Sequence, residues 1–167
     1  KALLDYDHAI EMAPKYADAY SNRGLVYFYQ KNHAKAIADF EKAVSFNPQL
    51  SETYYNLGLA HIERKEYRQA IVNFDTLIKL APQDTEAYLK RGTTYCYLEE
   101  YPKAITDFAK VIDLDANYAS AYVNRAIAYA NIGEDRQALI DLQQAEKLLK
   151  QENNLDAYQQ LQELIYK

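Results

Sequence analysis

The sequence has few of the residues that build metal, disulfide and phosphate sites. It contains one cysteine, three histidines and four glycines in 167 residues. A single cysteine excludes an internal disulfide and is compatible with a reducing compartment such as the cytoplasm. The glycines stand singly, so none forms a loop that could cradle a phosphate group.

Long apolar runs and an excess of basic residues are also lacking. No apolar run approaches the ~18 residues that a membrane-spanning helix needs. The formal net charge is −5, with both signs mixed along the chain. A nucleic-acid or anionic-membrane partner would require a basic face. We therefore expect neither kind of partner.

The polar residues form no arrangement typical of catalysis or metal binding. Cys96 has no CxxC partner, and no two histidines or cysteines have metal-ligand spacing. His61 recurs in register with Tyr27, so packing or a hydrogen bond is its expected role. Asp39, Asp107 and Asp141 also recur in register, and they are expected to face solvent or to contact a neighbouring helix. The sequence predicts no catalytic residue, no metal and no cofactor.

A fixed period dominates what is present. Pro14, Pro48 and Pro82 are 34 residues apart, and the same spacing separates three glycines, Gly24, Gly58 and Gly92. The intervening text also repeats, with Tyr-Ser-Asn-Arg-Gly in the first copy and Ala-Ile-Ala-Asp-Phe after it. A period near 34 residues with this pattern is typical of a helical repeat array. The chain resembles the tetratricopeptide repeat (TPR) family along nearly its whole length.

The resemblance implies an all-α fold, a right-handed superhelical solenoid of antiparallel helix pairs. Residues 1–16 correspond to the second helix of a truncated repeat. Four repeats follow, at 17–50, 51–84, 85–118 and 119–152, and a C-terminal capping helix is expected at 153–167. Glycine or alanine recurs at one position of each first helix, opposite alanine in the second. Small residues at both positions indicate a close approach of the two helices.

In the TPR fold, the first or A helix of each repeat lines a concave groove. The resemblance therefore places three columns of side chains in that groove. They are Asn22, Asn56, Lys90 and Asn124; then Leu25, Leu59, Thr93 and Ile127; then Tyr29, Glu63, Tyr97 and Asn131. An amide side chain both donates and accepts hydrogen bonds, so the asparagines suit the backbone of a bound peptide. The alternative is that Asn-Arg-Gly is merely common repeat text.

Acidic residues recur at the starts of the A helices, at Asp18, Glu52 and Glu86. A carboxylate in the first turn complements the helix macrodipole by roughly 0.3–1 kcal/mol. We favour that interpretation over recognition of a basic peptide.

These observations predict a non-catalytic scaffold that binds a partner peptide or helix in the groove. One alternative is a self-assembling structural subunit, a homo-oligomer formed through the N-terminal end. The residues expected there lack a partner helix and are Leu3, Leu4, Tyr6 and Ile10. Another alternative is a regulatory TPR arm of a larger enzyme. The sequence does not identify the partner.

Overall fold

A computed structural model describes residues 2–151 together with residues 157, 159 and 161. Every element in this part of the chain is an α-helix, which confirms the predicted all-α class. The helices are α1 (Ala2–Met12), α2 (Ala17–Tyr29), α3 (His33–Phe46), α4 (Ser51–Glu63), α5 (Tyr67–Leu80), α6 (Thr85–Tyr97), α7 (Tyr101–Leu114), α8 (Ala119–Asn131) and α9 (Asp135–Gln151). None of the described helices is both long enough and apolar enough to cross a membrane.

The chain divides into two compact units, Lys1–Pro82 and Gln83–Lys167. In the first unit, α2 packs against α3, α3 against α4, and α4 against α5, while α1 covers part of α2. In the second unit, α6 packs against α7, α7 against α8, and α8 against α9. The exact division into four repeats remains a proposal. Most of the predicted capping helix at 153–167 lies outside the described residues.

Each A helix turns into its partner helix, here the B helix, through one residue in the left-handed backbone region. These residues are Lys31, Lys65, Glu99 and Gly133, with φ between 58° and 78°. The backbone N–H of the following residue donates to a carbonyl five residues earlier, as in Glu66 to His61 at 2.8 Å. This bond satisfies one of the free carbonyls at the helix end. The two helices of a pair are thereby set antiparallel.

Within three pairs, a glycine of the A helix faces a phenylalanine of the B helix. A Cβ atom built on Gly58 would lie 2.5 Å from the ring of Phe74, and one on Gly24 would lie 2.7 Å from Phe40. Both rings are fully buried. The predicted close approach is confirmed, and its cause is the ring that occupies the space of a missing side chain. At the equivalent positions, α8 has Ala126, which is larger than glycine, and α9 has Leu142, which is smaller than phenylalanine.

Candidate functional site

One face of each A helix carries four residues at spacings of four, three and four. Such spacing aligns side chains along one side of a helix. We call each set an A-helix stripe. The stripes are Asp18, Asn22, Leu25 and Tyr29 on α2; Glu52, Asn56, Leu59 and Glu63 on α4; Glu86, Lys90, Thr93 and Tyr97 on α6; and Ser120, Asn124, Ile127 and Asn131 on α8.

The α2 stripe is open to solvent at both ends. Asn22 is exposed, and Tyr29 keeps 79% of its surface accessible. Leu25 is half-buried because it packs against the core cluster around Phe40. A tyrosine this exposed offers a rigid amphipathic surface of the kind found at protein interfaces.

The α4 stripe is more enclosed. Leu59 is half-buried, and Glu63, the last residue of the helix, is exposed. Asn56 is half-buried, and its amide Nδ2 is enclosed without a hydrogen-bond partner. A buried donor left without an acceptor costs on the order of 1–3 kcal/mol. The asparagines at equivalent positions therefore do not share one environment.

In the second unit, polar side chains of the α6 stripe have ion-pair and hydrogen-bond partners on α6 itself. The Lys90 ammonium lies 3.9 Å from the Glu86 carboxylate, and the Thr93 hydroxyl donates to the carbonyl of Leu89 at 2.9 Å. Tyr118 also donates a hydrogen bond to Glu86. Tyr97 keeps 55% of its surface exposed.

The α8 stripe borders a cleft of about 320 Å³ in the second unit. Ser120, Val123 and Asn124 form one wall, and Leu149 and Leu161 are among the apolar residues opposite. Ile127 lies one turn further along α8 and is exposed. An amide beside an apolar cleft is suited to holding a polar backbone with an apolar side chain.

A second cleft, of about 280 Å³, lies in the first unit where α2 and α4 end. Phe28, Tyr29, Lys31, His33 and Glu63 line it. The Phe28 and His33 rings meet edge to face, with centroids 5.3 Å apart. The Nδ1 atom of His33 is buried and has no hydrogen-bond partner. This cleft combines an exposed aromatic ring with a carboxylate.

Three buried ion pairs connect A and B helices, and sequence reasoning missed the pairing. Asp39, Asp107 and Asp141 each accept two hydrogen bonds from an arginine sixteen residues earlier, at 2.6–2.8 Å. The arginines are Arg23, Arg91 and Arg125. Of the two expected locations for these aspartates, the structure selects the interhelix contact. The sequence itself indicates this pairing, because the arginine and the aspartate are both absent from the second repeat, which has Leu57 and Asn73 at these positions.

The N-terminal residues that were expected to lack a partner helix are partly covered by α2. Leu3, Tyr6 and Ile10 are half-buried because α1 packs on α2. Leu4 is largely exposed, at 72%. An ion pair also connects the two helices, since Asp7 accepts from Arg23 at 2.7 Å. Self-association through these residues remains a proposal.

The remaining reactive groups are held in structural contacts. His61 is buried, and its Nδ1 lies 2.8 Å from the Glu66 carboxylate, as expected for a packing or hydrogen-bonding role. Burial raises the pKa of the Cys96 thiol, which disfavours the reactive thiolate. In the described part of the chain, no three His, Cys, Asp or Glu residues are placed to hold a metal ion.

Comparisons with known proteins agree with this architecture. Residues 17–50 and 51–84 each match a tetratricopeptide repeat model, and residues 92–133 match a TPR repeat model. Together the matches cover about two thirds of the chain. No curated protein matches the sequence.

Solved structures with the same fold are numerous. A crystal structure of MamA is similar over 91% of this chain and 89% of its own, with 24% identity and a TM-score of 0.88. MamA from Desulfovibrio magneticus RS-1 gives 18% identity, coverage of 89% and 84%, and a TM-score of 0.84. YrrB, described as a TPR protein with an unusual peptide-binding site, gives 27% identity, coverage of 87% and 75%, and a TM-score of 0.80.

Proposed function

Because the chain belongs to the tetratricopeptide repeat family, whose members bind protein or peptide partners, we propose that it is a non-catalytic interaction scaffold. Within each compact unit, the A-helix stripes hold a short peptide segment of a partner protein. The observation that supports this proposal is that amide, apolar and aromatic side chains recur at equivalent positions of successive A helices. YrrB supplies a precedent for peptide binding on a similar fold.

The proposed contacts follow from the chemistry of each column. In the first unit, Asn22 and Asn56 bond the peptide backbone. In the second unit, Asn124 does so, and Lys90 takes the equivalent place on α6. Leu25, Leu59, Thr93 and Ile127 receive peptide side chains, and Tyr29 and Tyr97 flank them. The affinity is modest, because a flexible peptide loses conformational entropy when it binds.

The test begins with random short peptides displayed on phage and selected on the immobilised chain. Fluorescence anisotropy then measures the binding of selected peptides to a triple variant, Asn22→Ala, Asn56→Ala and Asn124→Ala. We expect weaker binding with an unchanged helical content and a melting temperature that is no lower than that of the unchanged chain. Unchanged binding by the triple variant, or a selection that yields no peptide, contradicts the proposal.

The matched control must leave the ion pairs intact. Asp39, Asp107 and Asp141 are unsuitable because they are buried and bound to arginine. Glu41 and Lys42 are exposed on α3, a B helix. A Glu41→Ala, Lys42→Ala variant should bind the selected peptides as the unchanged chain does.

A second candidate function is self-association through α1. It is favoured by two exposed apolar side chains of that helix, Leu4 at 72% and Met12 at 74%. Light scattering at high protein concentration tests it. A dimer that Leu4→Lys converts to a monomer supports this function, and a monomer at all concentrations excludes it.

A further inference from the structure

The two A-helix stripes of the first unit are acidic. Asp18, Glu52 and Glu63 are all exposed. Among the described residues, none of the three takes part in an ion pair or hydrogen bond through its carboxylate. Three unneutralised carboxylates therefore share the surface on which the proposed peptide lies.

The helices that carry these carboxylates provide no free cation to balance them. Arg23 is the only arginine or lysine in α2 and α4. Its Nε and Nη2 donate to Asp39 at 2.7 Å, and its Nη1 donates to Asp7 at 2.7 Å. The guanidinium is thus committed to two other carboxylates.

Helix stability explains two of the three carboxylates but not Glu63. Asp18 and Glu52 stand in the first turns of their helices, where negative charge complements the macrodipole. Glu63 is the last residue of α4, where the partial charge of the helix end is itself negative. A carboxylate there is unfavourable for the helix, so helix stability does not account for it.

Glu63 borders the 280 Å³ cleft together with Phe28 and the exposed ring of Tyr29. Lysine and arginine side chains are attracted to a carboxylate and to the face of an aromatic ring. Lys31 also borders this cleft, but it forms no ion pair with Glu63. The cleft can therefore receive a cation from outside, with Lys31 weakening the attraction.

We propose that the first unit selects partner peptides carrying a lysine or arginine whose side chain seats between Glu63 and Tyr29. This inference rests on the proposed peptide-binding function and adds the charge of the partner. The second unit offers no equivalent carboxylate excess on its A helices, because Glu86 is near Lys90 and accepts from Tyr118.

The experiment uses the phage-selected peptides. We expect lysine and arginine to be enriched in them over the unselected library. Glu63→Gln should weaken the binding of a basic selected peptide by about threefold, which is typical of one partly exposed charge pair. Replacing that basic residue by norleucine, which keeps the aliphatic stem, should give the same loss, and the variant and the peptide change together should add little more.

Two further variants sharpen the assignment. Glu41→Gln removes one negative charge from the B-helix side of the same unit and should leave the affinity unchanged. Lys31→Asn should strengthen binding, because it removes the competing cation and keeps a residue that tolerates positive φ. Raising sodium chloride from about 0.05 to about 0.5 M should abolish the difference between Glu63→Gln and the unchanged chain.

The two proposals fail in different ways. Peptides that bind through the asparagines without basic enrichment, and that bind Glu63→Gln as well as the unchanged chain, overturn the charge preference and leave the scaffold function standing. An equal loss in Glu41→Gln also overturns it, because general charge would then explain the effect. A selection that yields no peptide overturns both.

Discussion

The α2–α3 and α4–α5 helix pairs share one backbone plan but differ at one interhelix contact. Both close a glycine of the A helix onto a buried phenylalanine of the B helix. Beside that contact, α2–α3 has the bidentate Arg23–Asp39 ion pair. At the equivalent positions α4–α5 has Leu57, which is 2% exposed, and Asn73, whose amide donates to the carbonyl of Gln69.

The difference shows that the ion pair is not required for the helix pair to form. Burying a leucine side chain contributes roughly 1.5–3 kcal/mol. A buried ion pair recovers in Coulomb energy about what it loses in desolvation. On these magnitudes the leucine arrangement is at least as stable as the ion pair, and the two respond differently to mutation. The glycine–phenylalanine contact is the part that both pairs share.

The largest effect is expected where the two pairs agree. Gly58→Leu should destabilise the protein by more than ~3 kcal/mol, because the Phe74 ring already fills the space in which the new side chain would lie. Chemical denaturation measures the loss. A melting temperature unchanged within about a degree would show that the contact is not close.

A smaller substitution at the same contact should be partly compensated by a second substitution in the facing helix. Gly58→Ala should destabilise, and adding Phe74→Leu should recover part of the loss, because the α8–α9 pair carries Ala126 and Leu142 at these positions. The pair of substitutions forms a double-mutant cycle. Additive losses would contradict the direct contact.

The next largest effect is expected at the ion-pair position, where the two helix pairs differ. Asp39→Ala should cost about 2–3 kcal/mol, since it leaves Arg23 partly buried with only the more exposed Asp7 as a partner. Asn73→Ala, at the equivalent position, should change stability by only about 0.5 kcal/mol or less. Similar losses in the two variants would show that the ion pair has no special energetic role.

A transplant tests whether the two arrangements are interchangeable. Leu57→Arg together with Asn73→Asp should cost no more than about 1.5–3 kcal/mol, the burial lost with Leu57, because α2–α3 accommodates this ion pair on the same framework and the pair itself roughly breaks even. Leu57→Arg alone should be much worse, since it buries a charge without a partner. A double variant as unstable as the single one would show that the contact depends on its surroundings.

The smallest effect concerns pH and the turns between helices. A hydrogen bond from His61, followed by the charge of Arg64, lowers the pKa of Glu66 below its ordinary value of 4.5. A group with a lowered pKa stabilises the fold above its unfolded pKa and loses that contribution as pH falls through the folded pKa. In the α2–α3 turn the equivalent residue is Asn32, which does not titrate.

Glu66→Gln should therefore melt slightly below the unchanged chain at neutral pH. The difference should shrink as pH falls below 4.5 and vanish in stronger acid. Thermal melts across this range measure it. A difference that stays constant with pH would indicate lost packing and not a lost charge contact.

The sequence by itself determined the helical repeat, the family and the position of each column. Period and spacing are local properties of the chain, so Asn22, Asn56 and Asn124 were correctly placed at equivalent helical positions. The close contact at Gly58 was also predictable, because a glycine inside a helix needs a packing reason.

Only the tertiary structure decided what each position touches. Equivalent asparagines became exposed in α2 and half-buried with an unsatisfied amide in α4. The structure also joined Arg23 to Asp39, and brought Glu63 to the cleft beside Tyr29. The physical reason is that helical spacing fixes only the direction in which a side chain leaves its helix. Its burial and its partners depend on the residues that neighbouring helices place opposite it, and a periodic sequence fills those positions differently in each repeat.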